Sequence, residues 1–387
     1  MILGRMIVDI SSLKGEYSMK KLSKQDLYDI LYGCTILGTG GGGELEEGLK
    51  LIDRAFEKGK EFILVDLDEV DEEAMIATPY MCGAISPITE EEEKKYRDLP
   101  QIGEEPAVHA FIAMEEYMGK EFQGVISTEL GGANTAIAFY TAAMLGKYII
   151  DADPAGRSVP ELQHSTYYIN NLPIDPIAVA NEFGDKAIFT KVVDDFRAEA
   201  LVRSLAVVSK NSIGVVDHPA KARDLKKAVI PNAISYALKI GQSYRQAKEA
   251  GENPAQKVAE VGEGILRFRG RVKEFDWKTE AGFTIGNTIL EGIDTYQGDE
   301  YKIWFKNENI ISWLNGTIDM TVPDLICIFN EKTKEPVTNP YFEKGMEVAV
   351  VVLPAPEEWT TERGLEVFGP KSFGYMVEYN PMKKRFK

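Results

Sequence analysis

The sequence predicts an α/β N-terminal domain with a mostly parallel sheet, followed by a C-terminal β-rich domain, sandwich or barrel-like. Three observations carry this reading. Apolar strand-like runs alternate with amphipathic helical stretches from Leu22 to Asp151, the pattern of βαβ units with right-handed crossovers. From Leu266 to Leu353 the texture changes to short β-rich runs spaced about ten residues apart by turn residues. Glycine-centred turns, above all Leu37-Gly-Thr-Gly-Gly-Gly-Gly43 and Glu129-Leu-Gly-Gly-Ala-Asn134, mark bare, close-packed corners in the α/β part.

The elements follow in order. Met1 to Ser18 is set apart as an extension, because Met19-Lys-Lys-Leu reads as a second start and charges interrupt any signal-peptide pattern. Ser23 and Asp26 resemble a capping box, and Leu27, Ile30, Leu31 and Cys34 make one buried helical stripe. After the glycines, Leu45, Leu49, Ile52 and Phe56 mark a second helix closed by Gly59. Phe62–Asp66 and Ala74–Thr78 read as buried strands, the second ended by Pro79, with Met81-Cys-Gly-Ala-Ile-Ser-Pro87 as a loop. Ala107–Tyr117 is helical, Phe122–Thr128 a strand, Ala136–Leu145 a small-residue helix and Lys147–Asp151 a strand. Residues 154–185 read as irregular, Asp195–Val208 as a helix, Ser212–Val216 as a strand, and 219–250 as helical with a break near Pro231. In the β-rich part Asn315-Gly316 is a hairpin signal. The expected division is an α/β domain at 19–262, a β-rich domain at 263–355 and a tail at 356–387 that packs back on the first.

Composition excludes several function classes. The 387 residues carry a net charge of −17, and residues 44–105 hold 19 acidic and 7 basic side chains, so nucleic acid is not an expected partner. No apolar run is long enough to span a membrane. Three scattered cysteines, without zinc spacing, fit reduced thiols in a cytoplasmic protein. The Glu90–Glu93 run reads as a solvated helix start.

The motifs converge on one pocket. Gly38, Gly40 and Gly43 satisfy G-x-G-x-x-G, but a helix precedes them where a dinucleotide fold needs a strand, and P-loop lysine and hydroxyl are missing. No nucleotide cofactor is expected. Gly40, Gly41, Gly42 and Gly43 are instead read as a backbone cradle for a polar part of a substrate, with Cys82 beside them. Glu129, at the end of a buried strand, is read as a general acid or base, with Asn134 holding the substrate. Asp151 and Asp153 close a strand, and Glu161 and His164 stand i, i+3 on the helix expected next; together they would hold one divalent, zinc-like metal. Arg157 supplies a cation for developing negative charge. His109 is read as a helix residue and His218 as part of a turn.

Cys34–Gly43, Glu129–Asn134, Asp151-Ala-Asp-Pro-Ala-Gly-Arg157, Val159-Pro-Glu-Leu-Gln163, Ala281–Thr284, Phe305-Lys-Asn-Glu-Asn309, Pro323–Ile326 and Gly369–Tyr375 together resemble the DUF917 family, whose members are also labelled S-methyl-thiohydantoin desulfurases. The resemblance runs collinearly from Leu22 to Tyr379. It implies an α/β domain followed by a β-rich one. It also implies hydrolytic replacement of a ring sulfur substituent by water, which turns a thiohydantoin into a hydantoin and a thiol. The alternative it implies is a non-catalytic partner subunit of a hydantoinase- or oxoprolinase-like enzyme. The expected partners are a small-molecule substrate, a hydantoinase-like protein and further copies of the chain. The chain departs from the family pattern at Met81–Pro87 and across Ser209–Ala233.

Overall fold

The computed structural model describes residues 19–83 and 90–386. The extension at 1–18 and the Ala84–Pro87 part of the expected loop lie outside the described residues.

β1 (Lys20–Lys21) leads into α1 (Lys24–Leu37), α2 (Leu45–Glu57), β2 (Ile63–Val65), β3 (Met75–Gly83), α3 (Glu90–Tyr96) and α4 (Pro106–Met118). β4 (Gly124–Val125), α5 (Gly132–Leu145), β5 (Tyr148–Ile150), β6 (Ala152–Asp153), α6 (Thr166–Ile169), β7 (Ile177–Ala180) and β8 (Lys186–Phe189) follow. Then come α7 (Asp195–Val207), β9 (Ser212–Lys221), α8 (Ala222–Leu225), β10 (Ile230–Pro231), α9 (Ala233–Glu249) and α10 (Pro254–Val261). Local chemistry explains the first helix: Ser23 Oγ accepts the Asp26 N–H while the Asp26 carboxylate accepts the Ser23 N–H, and Leu27, Ile30, Leu31 and Cys34 are all buried.

The main sheet has the order β1-β2-β5-β4-β3-β9-β7-β8. Its centre, β2-β5-β4-β3, is the parallel sheet read from the βαβ alternation, and antiparallel strands extend it on both sides. Side chains from α1, α2, α4, α5 and α9 pack in one hydrophobic core with Met75 and Ala77 of β3, while α7 packs with Tyr80 and Cys82 from its other face. Three expectations need correction. Residues 154–185 are not all irregular, since α6 lies there and β7 joins the main sheet. Pro79 does not end β3; it pairs opposite Val216 of β9. β4 borders only Ile76 and Ala77, so from Pro79 onward β3 has a strand on one side, where a missing N–H is tolerated. Residues 219–250 are not one broken helix either, because β9 runs on to Lys221 and β10 pairs with β6 before α9 begins.

The second sheet is wholly antiparallel: β11 (Ile265–Glu280), β12 (Phe283–Gly292), β13 (Glu300–Lys306), β14 (Glu308–Leu314), β15 (Thr317–Thr321), β16 (Leu325–Asn330) and β17 (Glu347–Leu353), in the order β15-β14-β13-β12-β11-β17-β16. It curls into a half-barrel, and Asn309 Nδ2 reaches across from β14 to donate to Ile326 O of β16 at 2.9 Å. Asn315 and Gly316 both take positive φ in the β14–β15 hairpin, as their sequence asks. Phe268, Leu290, Ile303, Ile326 and Val350 fill the concave core. The opposite face of β16 and β17, with Leu325, Cys327, Val351 and Leu353, packs into the helices of the first domain. The tail forms α11 (Glu362–Phe368) and α12 (Met382–Arg385); Trp359 Nε1 donates to Ala155 O in the first domain, and Met382 enters the half-barrel core.

Candidate functional site

A cavity of about 250 Å³ opens where β3 and the turn after β4 end. This is the carboxyl end of the parallel strands, where α/β sheets bind ligands. Its walls are Gly42–Gly43, the end of β3, the turn Thr128–Asn134, the loop Val159–Ser165, one face of α7, Ser212 at the start of β9, and Asn307–Glu308 from the half-barrel.

Glu129 is buried in this wall, and both of its oxygens are held. Asn134 Nδ2 donates to Oε1 at 2.8 Å and the Val159 N–H donates to Oε2 at 2.9 Å. Burial pushes its carboxyl above the usual range, while Asn134, Val159 and the Arg157 charge pull the other way. Asn134 Oδ1 is also committed, to the Met81 N–H at 3.3 Å, so this amide orients Glu129 and ties α5 to β3.

Glu308 is the residue the sequence reading missed. It starts β14, is 2% exposed, and its Oε2 has no hydrogen-bond partner among the described residues. Burial and the charge of Glu129 drive its carboxyl well above the usual range, against the pull of Arg157. The available signal was a lone acid between two asparagines, Asn307-Glu308-Asn309, between the β-rich runs Tyr301–Phe305 and Ile310–Leu314.

The glycine run explains how Glu308 gets there. Gly41 is seated so closely that a Cβ on it would lie 1.8 Å from Glu308 Oε1. Gly42, at φ +80°, would meet Gly131 Cα at 2.4 Å, and its carbonyl accepts the N–H groups of Ala133 and Asn134 at the start of α5. Gly42 and Gly43 line the cavity as expected of a cradle. Gly40 and Gly41 do not: the side chains of Asn339 and Glu308 fill the space in front of them, and the Asn339 N–H binds Gly40 O at 2.8 Å.

Arg157 lies behind the cavity, wholly buried. Its guanidinium donates to Thr39 Oγ1 (2.8 Å) and to the carbonyls of Ser158, Asn309, Pro323 and Asp324 (3.1–3.3 Å), and it lies over the Phe368 ring. Burial lowers it to about 10, against the pull of Glu308. It is a junction between the glycine run, the Glu129 wall and the Glu308 strand, and it does not reach the cavity.

The four residues read as metal ligands do not converge. Both Asp151 oxygens accept from Ser235, its N–H at 2.9 Å and its hydroxyl, at the start of α9. Asp153 is sealed off: Oδ1 accepts the Gly156 N–H at 2.7 Å, Oδ2 has no partner among the described residues, and burial lifts the group to about 8. Glu161 and His164 do line the cavity, but on a turn and not a helix. Glu161 is paired with Lys306 at 2.6 Å. His164 packs between Phe368 and Phe373, and burial lowers it to about 4. Among the described residues no group of three or more His, Cys, Asp or Glu is disposed to hold a metal, so this donor set does not fit a single ion.

Cys82 lines the cavity with its thiol pushed up to about 12, first by burial and then by Glu199, so it stands as a neutral wall group. His218 is not in a turn. It sits buried within β9 at φ +44°, with Nδ1 2.9 Å from Asp217 Oδ1 and Nε2 3.8 Å from Asp195 Oδ1. Burial opposes its charge, but the two aspartates raise it to about 9. Arg203 and Glu199 of α7 also line the cavity, a pair that periodicity marked only as helix.

Comparison with known proteins agrees with this architecture. No curated protein matches the chain. A protein from Chromobacterium violaceum, solved by X-ray crystallography, has the same fold, with a TM-score of 0.74 at 23% identity over 94% of this chain and 99% of that one. The S-Me-THD-like N-terminal domain model matches residues 25–191, and the S-Me-THD-like C-terminal domain model matches residues 193–382. With both halves matched in order, the chain belongs to the S-Me-THD-like family, the S-methyl-thiohydantoin desulfurase-like group that its motifs resemble.

Proposed function

We propose that the protein is a hydrolase of a small cyclic amide, replacing the methylthio group of an S-methyl-thiohydantoin with water to leave a hydantoin and methanethiol. The observation that supports this most is the pair of buried carboxyl groups, Glu129 from the first domain and Glu308 from the half-barrel, that line one cavity. They differ in the way an acid–base pair requires. Glu129 accepts two hydrogen bonds, which favour its ionised form, whereas Glu308 has an unpartnered oxygen and a strongly raised pKa, which favour its protonated form.

In this reading Glu129 takes a proton from water as its oxygen attacks the ring carbon bearing sulfur. Glu308 gives its proton to the adjacent ring nitrogen as the C=N bond becomes single. In the second half the C–S bond breaks. The departing sulfur takes the proton from Glu129, and Glu308 recovers a proton from the hydroxyl as the carbonyl forms. Water is consumed, methanethiol and hydantoin leave, and both carboxyls return to their starting states. Neither step uses Asp151, Asp153 or a metal. The test is thiol release by the purified chain from S-methyl-thiohydantoins, followed with a thiol reagent. Silence across a panel of such rings, with the protein folded and co-purifying with a hydantoinase-like enzyme, would replace this function with that of a partner subunit.

A further inference from the structure

The charges around the cavity are not balanced in the way a site for an acidic ligand would be. Four glutamates line it, at 129, 161, 199 and 308. The cations nearby are all committed. Arg203 Nε donates to Glu199 Oε1 at 2.5 Å and its NH1 donates to Gly282 O at 3.1 Å. Lys306 Nζ donates to Glu161 Oε2 at 2.6 Å. Both cations also lie on the ring of Phe283, Arg203 at 4.5 Å and Lys306 at 4.0 Å from its centroid. Arg157 is sealed behind the wall with neutral oxygens around it. His164 is kept neutral by burial. Among the described residues, no cationic side chain that faces the cavity is left without a carboxylate.

Resting on the hydrolase reading, we infer that the site selects rings whose substituent is neutral or positively charged and rejects rings that carry a carboxylate, and that Glu199 enforces this by occupying Arg203. A ligand carboxylate would meet the unneutralised charge of Glu129 and could win Arg203 only by displacing Glu199, whose other oxygen is anchored by the Leu162 N–H at 3.2 Å. An ammonium group meets the same acidic lining favourably.

The test uses three hydantoins that differ only at the ring substituent: methyl, aminobutyl and carboxyethyl. Their binding to the full chain is measured by calorimetry. The carboxyethyl ring is expected to bind at least tenfold more weakly than the methyl ring, about the effect of one like-charge contact across a partly screened site. Glu199→Gln keeps an acceptor for the Leu162 N–H and frees Arg203, so it should close that gap; the double variant with Arg203→Gln should reopen it. Equal binding of the methyl and carboxyethyl rings to the wild type would overturn the inference and leave the hydrolase reading intact. Binding of none of the three rings would overturn both. The wild-type comparison decides the matter even if a variant does not fold.

Discussion

Glu129 and Glu308 owe their different protonation to what holds them, so each should fail in its own way. Glu129→Gln and Glu308→Gln are each expected to lower kcat by roughly 10² or more, the usual scale of a positioned acid or base, with melting temperature and circular dichroism retained. Near-normal turnover in either variant would remove that residue from the reaction. The pH profile should be bell-shaped. Activity falls on the acid side as Glu129, raised by burial, takes up a proton, and falls on the alkaline side as Glu308, raised further, loses one. Asp153 makes a separate prediction about stability. Folding lifts its carboxyl to about 8, so the folded protein keeps a proton that the unfolded chain releases near pH ~4. Its contribution is complete below that unfolded value and is lost as pH rises through about 8. Asp153→Asn should therefore flatten the fall in Tm across that window, and an unchanged slope would count against the assignment.

At the scale of elements, the glycine run and the Arg157 junction decide whether the two walls meet. Gly41→Ala places a methyl group where Glu308 Oε1 now sits. It is expected to reduce turnover far more than Gly59→Ala, since a Cβ on Gly59 meets nothing within 4 Å among the described residues and carries only the strain of its positive φ. Comparable kinetics for the two would refute the seating role of Gly41. Arg157→Met leaves four carbonyls and a hydroxyl without their buried donor and should cost about 3 kcal/mol or more in a denaturant melt. The elements themselves were largely legible. A stripe at i, i+3, i+4 and i+7 with a capping box marks α1, and Asn315-Gly316 marks its hairpin, because these signals are local. The misreadings arose where tertiary context overrules local chemistry. Pro79 is harmless because β4 is two residues long, and the Glu161–His164 spacing looked helical in a segment that turns. Asp151 looked like a ligand because its partner Ser235 stands far along the chain, and Asp153 because a local turn to the Gly156 N–H and a strand-end carboxylate free to bind a metal read alike in sequence.

For the whole molecule, the order of an α/β domain and a β-rich domain was readable from period and texture alone. That one cavity draws its acid from the second domain was not, since Glu129 and Glu308 lie far apart in the chain and meet only when the outer face of β16–β17 packs on α1 and α9. The apolar contact and the Arg157 junction are expected to couple the domains into one cooperative unit. Calorimetry should show a single unfolding transition; two resolved transitions would mean that the domains unfold independently and that the junction is weak.

The missing side chain at Gly41 also bears on time. Glu308 can enter its seat only once the half-barrel has closed onto the first domain, so a chain with both halves folded but undocked holds Glu129 and lacks its counterpart. Recovery of turnover after refolding should then lag behind recovery of secondary structure. The length of that lag clocks domain docking, and the reaction itself becomes the probe of the last step in assembly.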